Sequence, residues 1–515
     1  MIYSFSNFGY EGSLVSVESD VRRGIPACDI VGLADAQVKE TRERVQCAFK
    51  NSNVPYPTER VLISLSPCDL RKEGCGFDLP ICVSVICANE QKELPYPTMI
   101  MGETELNGSI RAVKGVFACV QNAISNGISH FILPLANKNE VSSIEGINVL
   151  FVSSLSDCYS QMFDSDSYES VMTESEETSE TETVVNGIAF NDEQYEEIKG
   201  TTINPRFLKA LIVAISGHHH ILGVGRVGNG KTMTVQKLPM FLPRLTKKEK
   251  ESVSRIFSLS GLLSSNRPSI NYPPFRMPHQ TASIEGICGG GASCRPGEIS
   301  LSHNGILFLD ETAEFRSSVL QMLRVPMESK SITLSRAGRT TVYPSNFTFI
   351  GATNPCPCGN LGDKERICLC SPKSIEQYWK KFSAPLIDRC IVCDTNAKND
   401  EERVCTYSTE EIRKCVANAT KIQREKGVYN ADLSPIEILE LQNNSSNEVR
   451  NFAQKKENEL SPRRIAMLWK VALTIANLDN RKEINLADMN ESFSLVKNFE
   501  VLEDVGLYTS EPKAC

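Results

Sequence analysis

The chain has 515 residues, too many for one ordinary core, so its length asks for two to four domains. Its 41% hydrophobic and 23% charged residues suit a globular protein, and a net charge of -8 excludes a global basic field, so any nucleic-acid contact has to be a local patch. The N-terminal MIYSFSNFGYEG lacks the basic-then-apolar order of a secretory signal, and the apolar stretch from Leu79 is too short to span a bilayer, so the nineteen cysteines are expected to be reduced thiols of a cytoplasmic, non-membrane protein.

In chain order, AQVKETRERVQCAF from Ala36 spaces its apolar residues as a helix does, while RVLISLSP from Arg60 and HFILPL from His130 read as strands. They predict a mixed α/β domain over residues 1–163. Next comes DSDSYESVMTESEETSETET, acidic and nearly free of large apolar side chains. It cannot bury enough surface to fold, and residues 164–190 are expected to be a flexible linker. Over residues 191–395 strands alternate with helices, the pattern of a parallel sheet covered on both faces. Beyond it STEEIRKCVANATKIQREKG opens on a capping-box pair, Ser408 and Glu411, and closes on Gly427. SPRRIAMLWKVALTIANLD from Ser461 is a second amphipathic helix. Residues 396–500 are expected to form a helical lid and residues 501–515 a tail.

Within the middle region, HILGV from His220 reads as a strand, GRVGNGKT (Gly225–Thr232) as a loop and KTMTVQKL as a helix, the context a phosphate loop requires. Backbone N–H groups of such a loop converge on an anion, and Gly225, Gly228 and Gly230 let the backbone wrap closely around it. Lys231 supplies a charge for the β- and γ-phosphates of ATP, and the Thr232 hydroxyl a ligand for Mg²⁺. GILFLDE (Gly305–Glu311) reads as a buried strand ending in two acids. Asp310 is placed to hold Mg²⁺ through water and Glu311 to polarise an attacking water. FTFIGATN from Phe347 ends at Asn354, whose amide is placed to sense the γ-phosphate or to position the water. APLIDRC puts Arg389 where a ring would bring it to a neighbour's phosphate, and Arg463 is expected to close over the nucleotide from the lid. A chance glycine loop or a strand ending in solvated acids explains each fragment alone; the order of the fragments favours the nucleotide site.

Three further segments carry candidate chemistry. CPCGNLGDKERICLC sets Cys356 and Cys358, then Cys368 and Cys370, as two Cys-x-Cys pairs. Four thiolates can close a tetrahedral Zn²⁺ site, although two residues between paired cysteines is the commoner spacing; plain reduced thiols are the alternative. SITLSRAGRTTVYP (Ser331–Pro344) predicts a hairpin whose tip arginines, Arg336 and Arg339, either grip DNA phosphates inside a ring or are simply solvated. GGGASCRPGE reads as a second flexible loop. The HHH tract at His218 has no acid nearby in sequence, and no metal is expected there.

The order of GRVGNGKT, GGGASCRPGEISLSHNGILFLDE, NPCPCG, PLIDRC and LSPRR resembles the YifB/ComM family of magnesium-chelatase-like AAA+ ATPases. CDIVGLADAQVKETRERVQCAFKNSNVPYP and SPCDLRKEGCGFDLPI resemble that family's Lon-protease-like domain. The resemblance spans nearly the whole chain. It implies the fold class: an N-terminal Lon-protease-like α+β domain, a P-loop AAA+ αβα domain and a C-terminal helical lid. It also implies ATP and Mg²⁺, a homo-hexamer, and DNA as partner, since ComM-like members are branch-migration helicases that aid recombination of incoming DNA during natural transformation. Lys231, Thr232, Asp310, Glu311, Asn354, Arg389 and Arg463 are the matched positions. This chain departs from the pattern at Arg226 and Val227, where two prolines are usual, at Gln280, where a second histidine is usual, and at Thr312-Ala313 in place of Leu-Pro. The less rigid loop is expected to lower nucleotide affinity or turnover. Lon-type proteases use a Ser–Lys dyad. Here the serine position is Gly76 and the lysine position falls at Phe117, so no peptidase activity is expected. A protein-remodelling AAA+ ATPase, an unfoldase or chelatase-like motor subunit, is the competing reading.

Overall fold

The computed structural model describes residues 1–32, 36–68, 72, 75–171, 182–263, 268–336, 338–362, 366–395 and 404–497. The N-terminal region builds an eight-stranded mixed sheet. Its strands run in the order Glu169–Ser170, Asn148–Val152, His130–Pro134, Thr98–Ile100, Ile2–Ser6, Ser13–Arg22, Arg60–Ser66, Ala27–Val31. Alternation along Arg60–Ser66 buries Val61, Ile63 and Leu65 on one face. That face packs on helix Asp78–Glu90, which is buried from Asp78 to Ile86.

The expected linker is partly built into sheets. Glu169–Ser170 pairs antiparallel with Asn148–Val152 at the sheet edge. Glu182–Val185 pairs with Ile188–Asn191 around Asn186 and Gly187, whose positive φ values of 53° and 81° are those of a type I′ hairpin turn. The hairpin forms because Ile188 and Phe190 enter the core under the second sheet. Its Glu182 also accepts a hydrogen bond from the Tyr272 hydroxyl (2.6 Å) and pairs with Arg244. Residues 172–181 lie outside the described residues.

The second sheet has five strands, all parallel, in the order Phe275–Arg276, Ile306–Leu309, Thr348–Thr353, Ile221–Val224, Ile391–Asp394. Every residue of the three inner strands is buried, as a sheet covered on both faces requires. Ile221, Phe308 and Ile350 pack with helix Pro205–Gly217 and the C-terminal helices, while Leu222, Leu307 and Phe349 pack with Phe315, Leu320 and Trp379. The segment expected to be a flexible loop around Gly289–Gly291 is instead a ribbon, Gly289–Gly290 paired with Arg295–Pro296. Its glycines serve close approach: a Cβ at Gly297 would lie 2.2 Å from the Gly289 nitrogen.

Five helices follow the second sheet among the described residues: Thr409–Lys426, Pro435–Asn444, Asn447–Lys456, Pro462–Leu478 and Leu486–Val496. The capping box at Ser408 and Glu411 forms, and Gly427 closes the helix with φ 76°. The two α/β regions meet through helix Lys247–Ser260. Arg255 lies over the Tyr10 ring (4.2 Å) and donates to Asn122 (2.6 Å), and Ser258 donates to Glu140 (2.6 Å). No helix among the described residues is long and apolar enough to cross a membrane.

Candidate nucleotide-binding site

Parallel register sets the site. Val224 lies beside Thr353, and Leu309 beside Gly351, so the loop after each strand emerges at the same end of the sheet. The loop Gly225–Gly230 leaves strand Ile221–Val224 there, tied by the Gly225 N–H to the Thr353 carbonyl (3.1 Å). Gly228 and Gly230 have positive φ (84° and 69°), so the turn that a phosphate loop needs depends on glycine at both places. Helix Lys231–Gln236 then carries Lys231 inward. Its Nζ donates to the carbonyls of Gly225 and Arg226 and to Asn354 Oδ1 (3.2 Å). Burial pushes the Lys231 pKa down to about 8, against the pull of Asp310 and Glu311. Thr232 Oγ1 donates to Asp310 Oδ2 (2.8 Å), and the Glu311 N–H donates to Asp310 Oδ1 (3.0 Å). Glu311 is exposed and holds a left-handed backbone (φ 47°). Lys231, Thr232, Asp310 and Asn354 thus form one bonded cluster, with Glu311 at its rim.

Arg226 and Val227 both reach residues outside this loop. The Arg226 guanidinium donates to the Gly362 carbonyl, and Val227 packs against Gly359, where a Cβ would come within 2.8 Å of it.

The two remaining arginines lie elsewhere. Arg389 precedes strand Ile391–Asp394, at the entry end of the sheet, with the whole strand length between it and the phosphate loop, on the order of 13 Å. Arg463 lies beside it: both guanidinium groups bond Glu328 Oε1, Arg389 at 2.7 Å. Those bonds hold the Glu328 carboxyl below its usual range. Arg463 therefore lies away from the phosphate loop of its own chain. The physical reason is the seat of helix Pro462–Leu478: Ser461 Oγ donates to Asp388 Oδ1 (3.1 Å), and buried Arg464 donates to the carbonyls of Ile387 (3.1 Å) and Val496. This anchor fixes the helix start at the entry end. Arg389 and Arg463 line a cavity of about 450 Å³ with His218, His220, Lys330 and Asp432. Glu328 and Asp388, which hold these arginines, were not singled out from the sequence, because their partners are remote in the chain.

The hairpin Ser331–Arg336 with Arg339–Pro344 forms as expected, with Arg336 opposite Arg339. Arg336 is exposed. Arg339 is not free: its guanidinium stacks over the Phe8 ring at 4.2 Å, and the Tyr10 N–H donates to Thr341 Oγ1 (2.9 Å), so the hairpin leans on the N-terminal region. The sulfur atoms of Cys356, Cys358, Cys368 and Cys370 all lie within 4.8 Å of one another. The Asn360 N–H lowers the Cys358 pKa to about 6 by stabilising its thiolate. In the N-terminal region, Gly76 sits in the turn Cys75–Phe77 and Phe117 is a buried core side chain.

Comparison with known proteins places the chain in a family. Profiles of magnesium chelatase subunit ChlI match residues 17–137 and 194–403, and that of its C-terminal region matches residues 406–495. Competence protein ComM of Haemophilus influenzae is 33% identical over 499 residues, covering 94% of each chain. Protein YifB of Escherichia coli is 33% identical over 394 residues, 76% of this chain and 74% of its own. The archaeal Lon protease of Methanocaldococcus jannaschii is 24% identical over 136 residues, 26% of this chain and 21% of its own. The chain therefore belongs to the YifB/ComM family of magnesium-chelatase-like AAA+ ATPases.

Proposed function

We propose that the protein is an ATP-driven DNA motor resembling ComM: a cytoplasmic homo-hexamer that promotes branch migration during homologous recombination of incoming DNA. One observation supports this above the rest. Lys231, Thr232, Asp310, Asn354 and Glu311 gather at one end of the sheet, and Arg389 with Arg463 at the other. In a head-to-tail ring the arginine end of one subunit meets the nucleotide end of the next, where an arginine stabilises charge on the transferring phosphoryl group.

The residues fit ATP and Mg²⁺. Lys231 is held by oxygens that phosphate oxygens would replace. Thr232 Oγ1 and Asp310 Oδ2, 2.8 Å apart, are paired hard oxygen donors of the kind Mg²⁺ takes. Bound there, the metal would neutralise phosphate charge. Glu311 orients and polarises the attacking water, and Asn354 positions the γ-phosphate. Cys356, Cys358, Cys368 and Cys370 are assigned to Zn²⁺. Contact with DNA phosphates falls to exposed Arg336 rather than to Arg339. Residues 1–163 serve as a docking domain without peptidase chemistry, 191–395 as the motor and 396–500 as its lid.

The test is ATP turnover with and without four-way-junction DNA, for the wild type and Lys231→Ala. The reading expects stimulation by the junction and loss of turnover in the variant. Stimulation by an unfolded protein and not by DNA would replace it with the protein-remodelling reading.

A further inference from the structure

We propose that the four-cysteine loop is a zinc-dependent strut of the nucleotide site: Zn²⁺ bound by Cys356, Cys358, Cys368 and Cys370 holds the phosphate loop and Asn354 in the form that takes ATP. ATP affinity then depends on the metal. This rests on the ATP reading above.

The four sulfur atoms are close enough to share one ion. Cys356 Sγ lies 3.3 Å from Cys358 Sγ and 3.6 Å from Cys368 Sγ, and Cys358 and Cys368 are 3.6 Å apart. A zinc ion with Zn–S bonds of about 2.3 Å has sulfur–sulfur edges of about 3.8 Å, so a small outward movement admits it. The sequence ICLC gives an independent argument. Along it, Cys368 and Cys370 turn toward the cluster, while Ile367 and Leu369 remain 83% and 89% exposed. Hydrophobic burial alone favours the opposite arrangement, with the large apolar side chains inside. Thiols are weak hydrogen-bond partners, so their mutual contacts do not offset this. Metal ligation does.

The strut touches the nucleotide site at three places. Asn354, which accepts from Lys231 Nζ, is two residues before Cys356, with the intervening Pro355 carbonyl held by Trp379 Nε1 (3.0 Å). Arg226 in the phosphate loop donates to the Gly362 carbonyl. Val227, although mostly exposed, touches Gly359, which has a positive φ of 78° and directly follows Cys358. Gly359 and Gly362 both lie between the two cysteine pairs. Neither Arg226 nor Val227 stiffens a loop as a proline would, so their contacts with Gly362 and Gly359 add to the glycine turns and the Gly225–Thr353 bond in holding its shape.

The experiment uses the full chain purified without chelator. Zinc is measured by elemental analysis, and the dissociation constant of a fluorescent ATP analogue with Mg²⁺ is measured before zinc removal, after it, and after adding zinc back. About one zinc per chain is expected, with affinity falling at least about tenfold on removal and returning with zinc. Far-ultraviolet circular dichroism reports whether the stripped protein is folded. If stripping unfolds it, Arg226→Ala decides: zinc retained with weakened analogue binding supports the strut, and unchanged binding overturns it. Absence of zinc, together with no thiolate–cobalt absorption on adding Co²⁺, overturns the metal site. A folded, stripped protein that binds the analogue within about twofold of the loaded one overturns the coupling alone. A zinc-loaded protein that binds no analogue overturns the ATP reading itself.

Discussion

Acidification to pH 5 tests the packing around the second sheet, because His303, His220 and His219, along with His218, are held neutral there. His303 Nδ1 accepts the Asn346 N–H (3.0 Å) and His220 Nδ1 accepts the Phe349 N–H (3.1 Å). A proton on either nitrogen has to displace a backbone hydrogen bond. Next to His220, His219 is buried and bonds Thr474 on the lid through Nε2 (2.8 Å). Burial lowers His303 and His220 to about 4 and His219 to about 3, from an ordinary 6.5. Since the folded pKa values are depressed, the unfolded chain binds more protons below pH 6.5. Stability is therefore full above that pH and falls as pH drops, by about 1.4 kcal/mol per unit per histidine. At pH 5 each costs roughly 2 kcal/mol and the three together at most about 6 kcal/mol, comparable to the whole stability of an ordinary domain. His303→Asn keeps an acceptor at the δ position and removes the proton site. Urea unfolding followed by circular dichroism at pH 7 and pH 5 should show the pH penalty shrink by about 2 kcal/mol in the variant. An unchanged penalty would refute the assignment of acid sensitivity to His303.

The site makes further predictions. Glu311→Gln should retain ATP with Mg²⁺ but hydrolyse it about 10²- to 10⁴-fold more slowly in single-turnover measurements, whereas unaffected hydrolysis would remove Glu311 from the chemistry. Arg389→Ala should bind nucleotide normally and lose on the order of 10³-fold in turnover; mixing it with Lys231→Ala subunits should restore part of the activity, and no recovery would count against action on a neighbour. Arg464→Met leaves Asp388 without its buried partner and should lower stability by about 3 kcal/mol in thermal unfolding, with a change under 1 kcal/mol contradicting the anchoring role.

What the sequence showed and what it hid follow from the range of the forces involved. GRVGNGKT and GILFLDE were legible because strand, turn and helix are local, and parallel register then brings Lys231, Asp310 and Asn354 together. The place of Arg463 beside Arg389 was not legible, because the seat of its helix depends on Ser461 and Arg464 meeting Asp388, about seventy residues away in the chain. The hairpin at Asn186-Gly187 carried a clear turn signal, yet the acidic composition just before it dominated the reading. The glycines around Gly289 and Gly297 looked like freedom and are close contact, a distinction that composition cannot make. Arg339 looked like a free cation because nothing in the hairpin itself points to Phe8.

Equilibrium binding of ATP with Mg²⁺, measured side by side on the purified wild type and Lys231→Ala, bears most directly on the central claim. The account predicts saturable binding by the wild type and at least about tenfold weaker binding by the variant, the loss of one charge-assisted hydrogen bond to phosphate. A wild type that retains no nucleotide, or equal binding by both proteins, would contradict it.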